Sequence, residues 1–160
     1  MKKFIPFLLL LVACQGEIEY TLYETDDYSI EHPKDWTVEE DTEFGTVFTL
    51  KCPADEQTDG FAENLNLVTE EVPPGTSFDM YMEQAEYMVT TFIPDIKMEE
   101  NEKISDSPPT GSMIYTAVFS EMDMKVEQRY TMVDDMVYVL TFSSVPDKFS
   151  GYDDIRIHMM

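Results

Sequence analysis

Three segments in the last third of this 160-residue chain, residues 113–119, 125–133 and 136–143, constrain its fold more than anything else in it. The middle one alternates cleanly, with Val126, Gln128, Tyr130 and Met132 on one side and Lys125, Glu127, Arg129 and Thr131 on the other. A period of two is the signature of a strand with unlike faces. Asp134-Asp135 is a two-residue connection to the next segment, and Asp tolerates the positive φ that a tight hairpin demands. The three segments therefore predict an antiparallel meander, a sheet nucleus to which the rest of the chain must be added.

Upstream, residues 28–31, 36–39, 46–50, 65–72 and, more weakly, 98–104 also read as strands, punctuated by His32-Pro33, Gly45 and the polar stretch 53–62. One helix interrupts them. Pro73-Pro74-Gly75 ends a strand, Thr76 with Asp79 has the spacing of a capping box, and Pro94 closes the segment. Between these marks Phe78, Tyr81, Met82, Ala85, Met88, Val89 and Phe92 recur at three and four, opposite Asp79, Glu83, Glu86 and Thr90. That stripe predicts a long amphipathic mid-chain helix lying on a sheet. Residues 146–160 read as a terminal helix with Phe149, Tyr152, Ile155 and Met159 on one side. The predicted fold class is α+β, an antiparallel β-sheet flanked by helices.

The first residues carry a different kind of signal. Lys2 and Lys3 precede an apolar run from Phe4 to Val12 that is about half the length a membrane-spanning helix needs. Leu11-Val12-Ala13-Cys14 resembles the lipobox of bacterial lipoproteins. The resemblance implies a signal peptide over residues 1–13, lipidation of Cys14, and a tether over residues 14–25 before a domain at 26–160. An ordinary signal peptide or an N-terminal strand with an incidental Cys is the competing reading. Two or more acyl chains anchor stably where one does not. Gln15, in place of Asp, favours the outer membrane, on its periplasmic or surface face.

Hydrophobic residues make up 43% of the chain and aromatics 12%, which is too apolar for a disordered protein. Losing Lys2 and Lys3 leaves 8 of the 10 basic residues against 33 acidic ones and moves the formal net charge from −23 to −25. Such a domain repels phosphate backbones, so nucleic acid is not an expected partner, and contact with anionic lipid is expected only through the lipid at Cys14. Cys52 then stands alone, expected as a buried small residue at a strand end, since the acidic neighbours Asp55 and Glu56 disfavour a thiolate.

Catalytic motifs are not visible. His32 before Pro33 reads as a turn residue, His158 belongs to the terminal helix, and no nucleophile elbow, phosphate-cradling Gly loop or zinc-protease motif occurs. Asp55, Asp59, Gly60 and Glu63 suggest a calcium loop, but Asn66 stands where an EF-hand needs its bidentate Glu. Met80 with Met82, Met122 with Met124, and His158-Met159-Met160 could offer soft ligands to copper(I), against the simpler reading that methionines fill the core, with Met122 and Met124, which flank a turn, as the exposed exception. The expectation is no enzyme, no cofactor and no metal.

The segment Tyr28-Ser29-Ile30-Glu31-His32-Pro33-Lys34-Asp35-Trp36, then a sheet, then an amphipathic helix after Pro-Pro-Gly-Thr-Ser-Phe, then a hairpin-rich C-terminal half, resembles the PsbP/Mog1/DcrB-like superfamily from about residue 28 to the end. The resemblance implies an α/β/α sandwich and a non-catalytic role. The expected function is that of a lipid-anchored interaction or accessory domain for another envelope protein. The alternative is a carrier or sensor of a metal cation or apolar molecule in the groove between sheet and helix.

Overall fold

The computed structural model describes residues 18–26, 28–40, 45–53 and 61–160. Strands β1 (Tyr20–Glu24) and β2 (Ser29–Pro33) form a hairpin of their own. β3 (Thr37–Glu39), β4 (Thr46–Lys51), β5 (Asn64–Glu71), β6 (Lys97–Asp106), β7 (Pro109–Phe119), β8 (Met122–Val133) and β9 (Met136–Ser144) form one antiparallel sheet in the order β3-β4-β5-β9-β8-β7-β6. Helix α1 (Phe78–Phe92) connects central β5 to edge strand β6 and so must cross a face of the sheet. The chain ends with α2 (Pro146–Phe149), a 3₁₀ turn (Ser150–Tyr152) and α3 (Asp153–Met159).

The meander forms as its alternation requires. Asp134 takes φ 54° in the β8–β9 turn, and Val133 pairs with Met136 across it. β9 then closes the sheet by pairing along the whole of β5, from Asn64 opposite Ser143 to Glu71 opposite Met136. Because successive side chains point to opposite faces, β9 sends Val137 and Val139 into one core and Phe142 into another. Phe78 and Tyr81 of α1 close the first core over Met113, Tyr115, Val126 and Tyr130. The β1–β2 hairpin and the C-terminal helices close the second over Phe48, Leu50, Leu65 and Leu67, through Ile30, Phe149 and Met159. Burying a side chain such as Leu65 or Val137 contributes about 1.5–3 kcal/mol, so two cores of this size hold the sheet from both sides.

Several local expectations need correction. Tyr20–Glu24, expected as tether, is strand β1, paired with β2 from Tyr20 opposite Pro33 to Glu24 opposite Ser29. The cap of α1 is Ser77, in extended conformation with its Oγ accepting the Met80 N–H at 3.2 Å, while Thr76 donates to the Pro73 carbonyl instead. The helix has 15 residues, and its apolar stripe is wider than its contact with the sheet, so Met88 and Phe92 stay exposed. The terminal helix is broken at Ser150–Tyr152, yet Phe149 and Met159 are buried as their spacing predicts. His32 is not a turn residue: it is buried in β2, and its Nδ1–H donates to the Pro33 carbonyl at 2.8 Å.

Glycine decides one contact. At Gly111 in β7 a Cβ would stand 2.9 Å from Met82 Cε and 3.1 Å from the Glu102 carbonyl oxygen. The missing side chain is what lets Met82 lie flat between α1 and the sheet.

Candidate functional site

Cys14, and with it the signal-peptide residues, lies outside the described residues, as do Asp55, Asp59 and Gly60 of the calcium-loop reading. The remaining member of that reading, Glu63, is turned into the second core. It is 1% exposed, and its carboxylate accepts hydrogen bonds from Tyr152 Oη at 3.4 Å, Cys52 Sγ at 3.4 Å and Ser144 Oγ at 3.5 Å, with Lys148 Nζ 3.6 Å away. An ammonium group already faces this carboxylate, so it is a structural anchor for α2 rather than a ligand awaiting a cation. Cys52 is buried at the end of β4 as expected, and burial first, then the Glu63 carboxylate, pushes its thiol up. A thiol held protonated in this way is a poor nucleophile.

A second buried carboxylate, Glu127, lies on the same face of the sheet. It pairs with Arg129 at 3.0 Å and with Arg156 of α3, whose guanidinium stacks 4.2 Å above the Phe149 ring. Glu63 was expected only as a member of the calcium loop and Glu127 only as a strand-face residue; neither was expected to be buried, since nothing local marks a Glu as interior. For Glu127 the signal available was its position between Lys125 and Arg129 on one strand face, an unusual concentration of cations in a chain so acidic.

The methionines do not converge. Met80 and Met82 sit on different sides of α1, the first exposed and the second over Gly111. His158 pairs with Glu31 at 3.0 Å and lies against Tyr20, while Met159 is buried in the second core. Met122 and Met124 do share a surface, but Met124 is buried rather than exposed at the turn. Together with Phe61, Phe119, Tyr115 and Val126 they line an apolar pocket of about 400 Å³, whose polar side is formed by Asn64, Thr141 and Ser143. Beside it, the groove between α1 and the sheet is smaller, about 260 Å³, and contains Glu70, Tyr81, Met88, Gln128 and Tyr130. Among the described residues no group of three or more His, Cys, Asp or Glu side chains is placed to hold a metal ion.

The most conspicuous surface is the outer side of α1. Met80, Tyr87, Met88 and Phe92 are 61%, 63%, 48% and 66% exposed. Met80, Tyr87 and Met88 fall on one shoulder of the helix by their spacing of seven and eight, and Glu83 is within one turn of both Met80 and Tyr87. Asp79, on the same acidic side of the helix as Glu83 and Glu86, is held by Lys103 of β6 at 3.3 Å, which fixes that side of the helix over the sheet edge.

No protein-family model matches the chain, and no curated protein is similar to it in sequence. Solved structures are similar in fold. The cyanobacterial PsbP (CyanoP) of Synechocystis sp. PCC 6803 shares 12% identity over 92% of this chain and 95% of its own, with a TM-score of 0.67. LpqN of Mycobacterium tuberculosis, a protein involved in cell envelope biogenesis, shares 11% identity over 90% and 88%, with a TM-score of 0.64. A Pseudomonas aeruginosa protein of unknown function shares 14% over 84% and 89%, with a TM-score of 0.61. The fold is therefore PsbP-like, and at such identities the likeness concerns the fold alone. Among the described residues no helix is long and apolar enough to cross a membrane.

Proposed function

We propose that the chain is a lipoprotein of the bacterial cell envelope, anchored through acyl chains at Cys14, whose PsbP/Mog1/DcrB-type domain is a non-enzymatic accessory module for another envelope protein. The observation that carries the reading is the row of large apolar side chains left uncovered on α1, since exposed apolar clusters on an otherwise well-packed domain mark interaction sites. The envelope role printed for LpqN and the lipobox-like Leu11-Val12-Ala13-Cys14 support the location, with the outer membrane favoured by Gln15. Geometry is compatible with anchoring. The β1 strand nearest Cys14 packs in the hairpin layer, on the sheet face opposite α1, so a short tether leaves the α1 surface away from the bilayer.

Fractionation of cells producing Cys14→Ser protein tests the anchor: the variant leaves the membrane fraction unprocessed, and a variant that stays membrane-bound and processed as before refutes it. Crosslinking in intact cells tests the accessory role.

A second reading, a carrier or sensor of a small apolar ligand, is favoured by the pocket at Phe119, Met122 and Met124. Its volume lies within the usual range for ligand sites, about 300–1,000 Å³. This is not the sheet–helix groove in which such a ligand was expected, because none of its lining residues belongs to α1. Native mass spectrometry of protein released from its own membranes separates the two readings: a bound small-molecule mass that Met124→Trp abolishes supports the carrier, and an empty domain supports the accessory module.

A further inference from the structure

We infer that the outer shoulder of α1 docks a basic amphipathic segment of a partner protein, its apolar side seated on Met80, Tyr87 and Met88 and its lysines or arginines meeting Glu83 and Glu86. The inference rests on the accessory reading and adds to it the surface and the chemistry of the partner.

The sheet edges are less open to a partner. Sheet edges recruit extra strands through unpaired backbone groups, and charge on an edge opposes this. Outer strand β6 carries Glu99, Glu100, Glu102 and Lys103, and the opposite edge, β3, is three residues long. Helix α1 offers the reverse. Met80 and Tyr87 are seven residues apart and Met88 adjoins Tyr87, so the three lie along one outer side of the helix over about two turns, with Gln84 between them. Phe92 extends it toward the C-terminal end.

Charge selects the occupant. Among the described residues neither Glu83 nor Glu86 has a cationic partner, whereas Asp79 is already held by Lys103. Beyond α1, Glu70 accepts a hydrogen bond from Tyr81 Oη at 2.9 Å and adds a carboxylate to the groove beneath Met88. A second copy of this chain would set like charges against one another, and so would an anionic membrane. A helix with leucine-type anchors at i, i+3, i+4 and i+7 and basic flanks satisfies both the ridge and the rim. Complementary charge of this kind also speeds encounter and makes it salt-dependent.

The test uses full-length purified protein and two synthetic 18-residue amphipathic helices with the same apolar face, one with lysine and one with glutamate at every polar position, followed by fluorescence anisotropy. The lysine peptide binds and the glutamate peptide does not. Met80→Ser/Tyr87→Ser weakens the lysine peptide by about tenfold or more, as expected for losing central apolar anchors, and Glu83→Lys/Glu86→Lys reverses the preference between the peptides. Glu24→Lys/Asp26→Lys, the same charge change on the β1–β2 hairpin, leaves binding within about twofold. All of these residues except Glu86 are exposed, so an unchanged melting temperature verifies the fold of each variant. Equal weakening by both charge variants, or no loss in Met80→Ser/Tyr87→Ser, overturns the surface. In cells, a photocrosslinker at Tyr87 captures a partner peptide rich in lysine or arginine, and the same group at Leu22 captures none. Capture from Leu22 alone overturns the docking surface and leaves the accessory reading standing. Capture from neither position refutes the accessory reading itself, whatever the peptides do.

Discussion

Replacing Lys148 by Met, together with Glu63→Gln, tests the energetics of the buried Glu63 cluster. Lys148 Nζ stands 3.6 Å from a carboxylate that is 1% exposed, while the lysine side chain keeps 22% of its own exposure. At an effective dielectric of about 20 the attraction at this separation is about 5 kcal/mol. Removing one member of a buried pair costs about 3–5 kcal/mol, because the other charge is left uncompensated. Partial exposure of the lysine places the expected loss at the lower end, about 3 kcal/mol, or about 6–12 °C in melting temperature for a domain of this size. Glu63→Gln in the same background removes the stranded charge, keeps a carbonyl oxygen for Tyr152 Oη and turns an amide N–H toward Ser144 Oγ, which donates to the Val145 carbonyl, so the double variant regains about 2 kcal/mol. Urea unfolding of the wild type, the two single variants and the double variant gives the coupling energy directly. If Lys148→Met lowers stability by less than about 0.5 kcal/mol and the two substitutions are additive, the pair is screened by solvent and the account of α2 as anchored by a buried charge is wrong.

Three further outcomes are expected. Gly111→Ala forces Met82 and the Glu102 carbonyl apart from a new Cβ and destabilises by about 1–3 kcal/mol; Met82→Ala in that background restores part of the loss in a thermal melt, and purely additive losses contradict the contact. Alkaline titration followed at 295 nm finds Tyr115 pushed up to about 12 by burial, with Tyr81, Tyr130 and Tyr152 also raised, chiefly by burial. Since these folded values lie above the ordinary tyrosine value, their stabilisation is complete below about pH 10 and is lost as pH rises further, and ionisation of every tyrosine near pH 10 in a chain still folded by circular dichroism refutes the burial. A thiol reagent at pH 8 leaves Cys52 unmodified until denaturant is added, because the residue is buried and its thiol is held protonated; rapid labelling of native protein contradicts this.

What could be read from the chain alone is what short-range physics decides. The period-two alternation around Gln128, the Asp134-Asp135 turn and the stop at Pro94 all act within a few residues, and the β7–β8–β9 meander and helix α1 follow from them. The lipobox-like residues ending at Cys14 are likewise a local pattern, and the proposed anchoring rests on them alone. Tertiary structure decided the rest. That Tyr20–Glu24 is a strand depends on Pro33 and Ser29 arriving opposite its two ends. That His32 and Glu63 are interior depends on helices more than eighty residues downstream in the chain, Phe149 and Met159 closing the core that covers them. Met88 and Phe92 satisfy the helical repeat as well as Phe78 does, yet they are exposed, because α1 contacts the sheet along a narrower arc than the stripe it presents. A hydrophobic repeat records which residues can be buried; only the packed partner determines which of them are, and here the remainder becomes the surface proposed to bind.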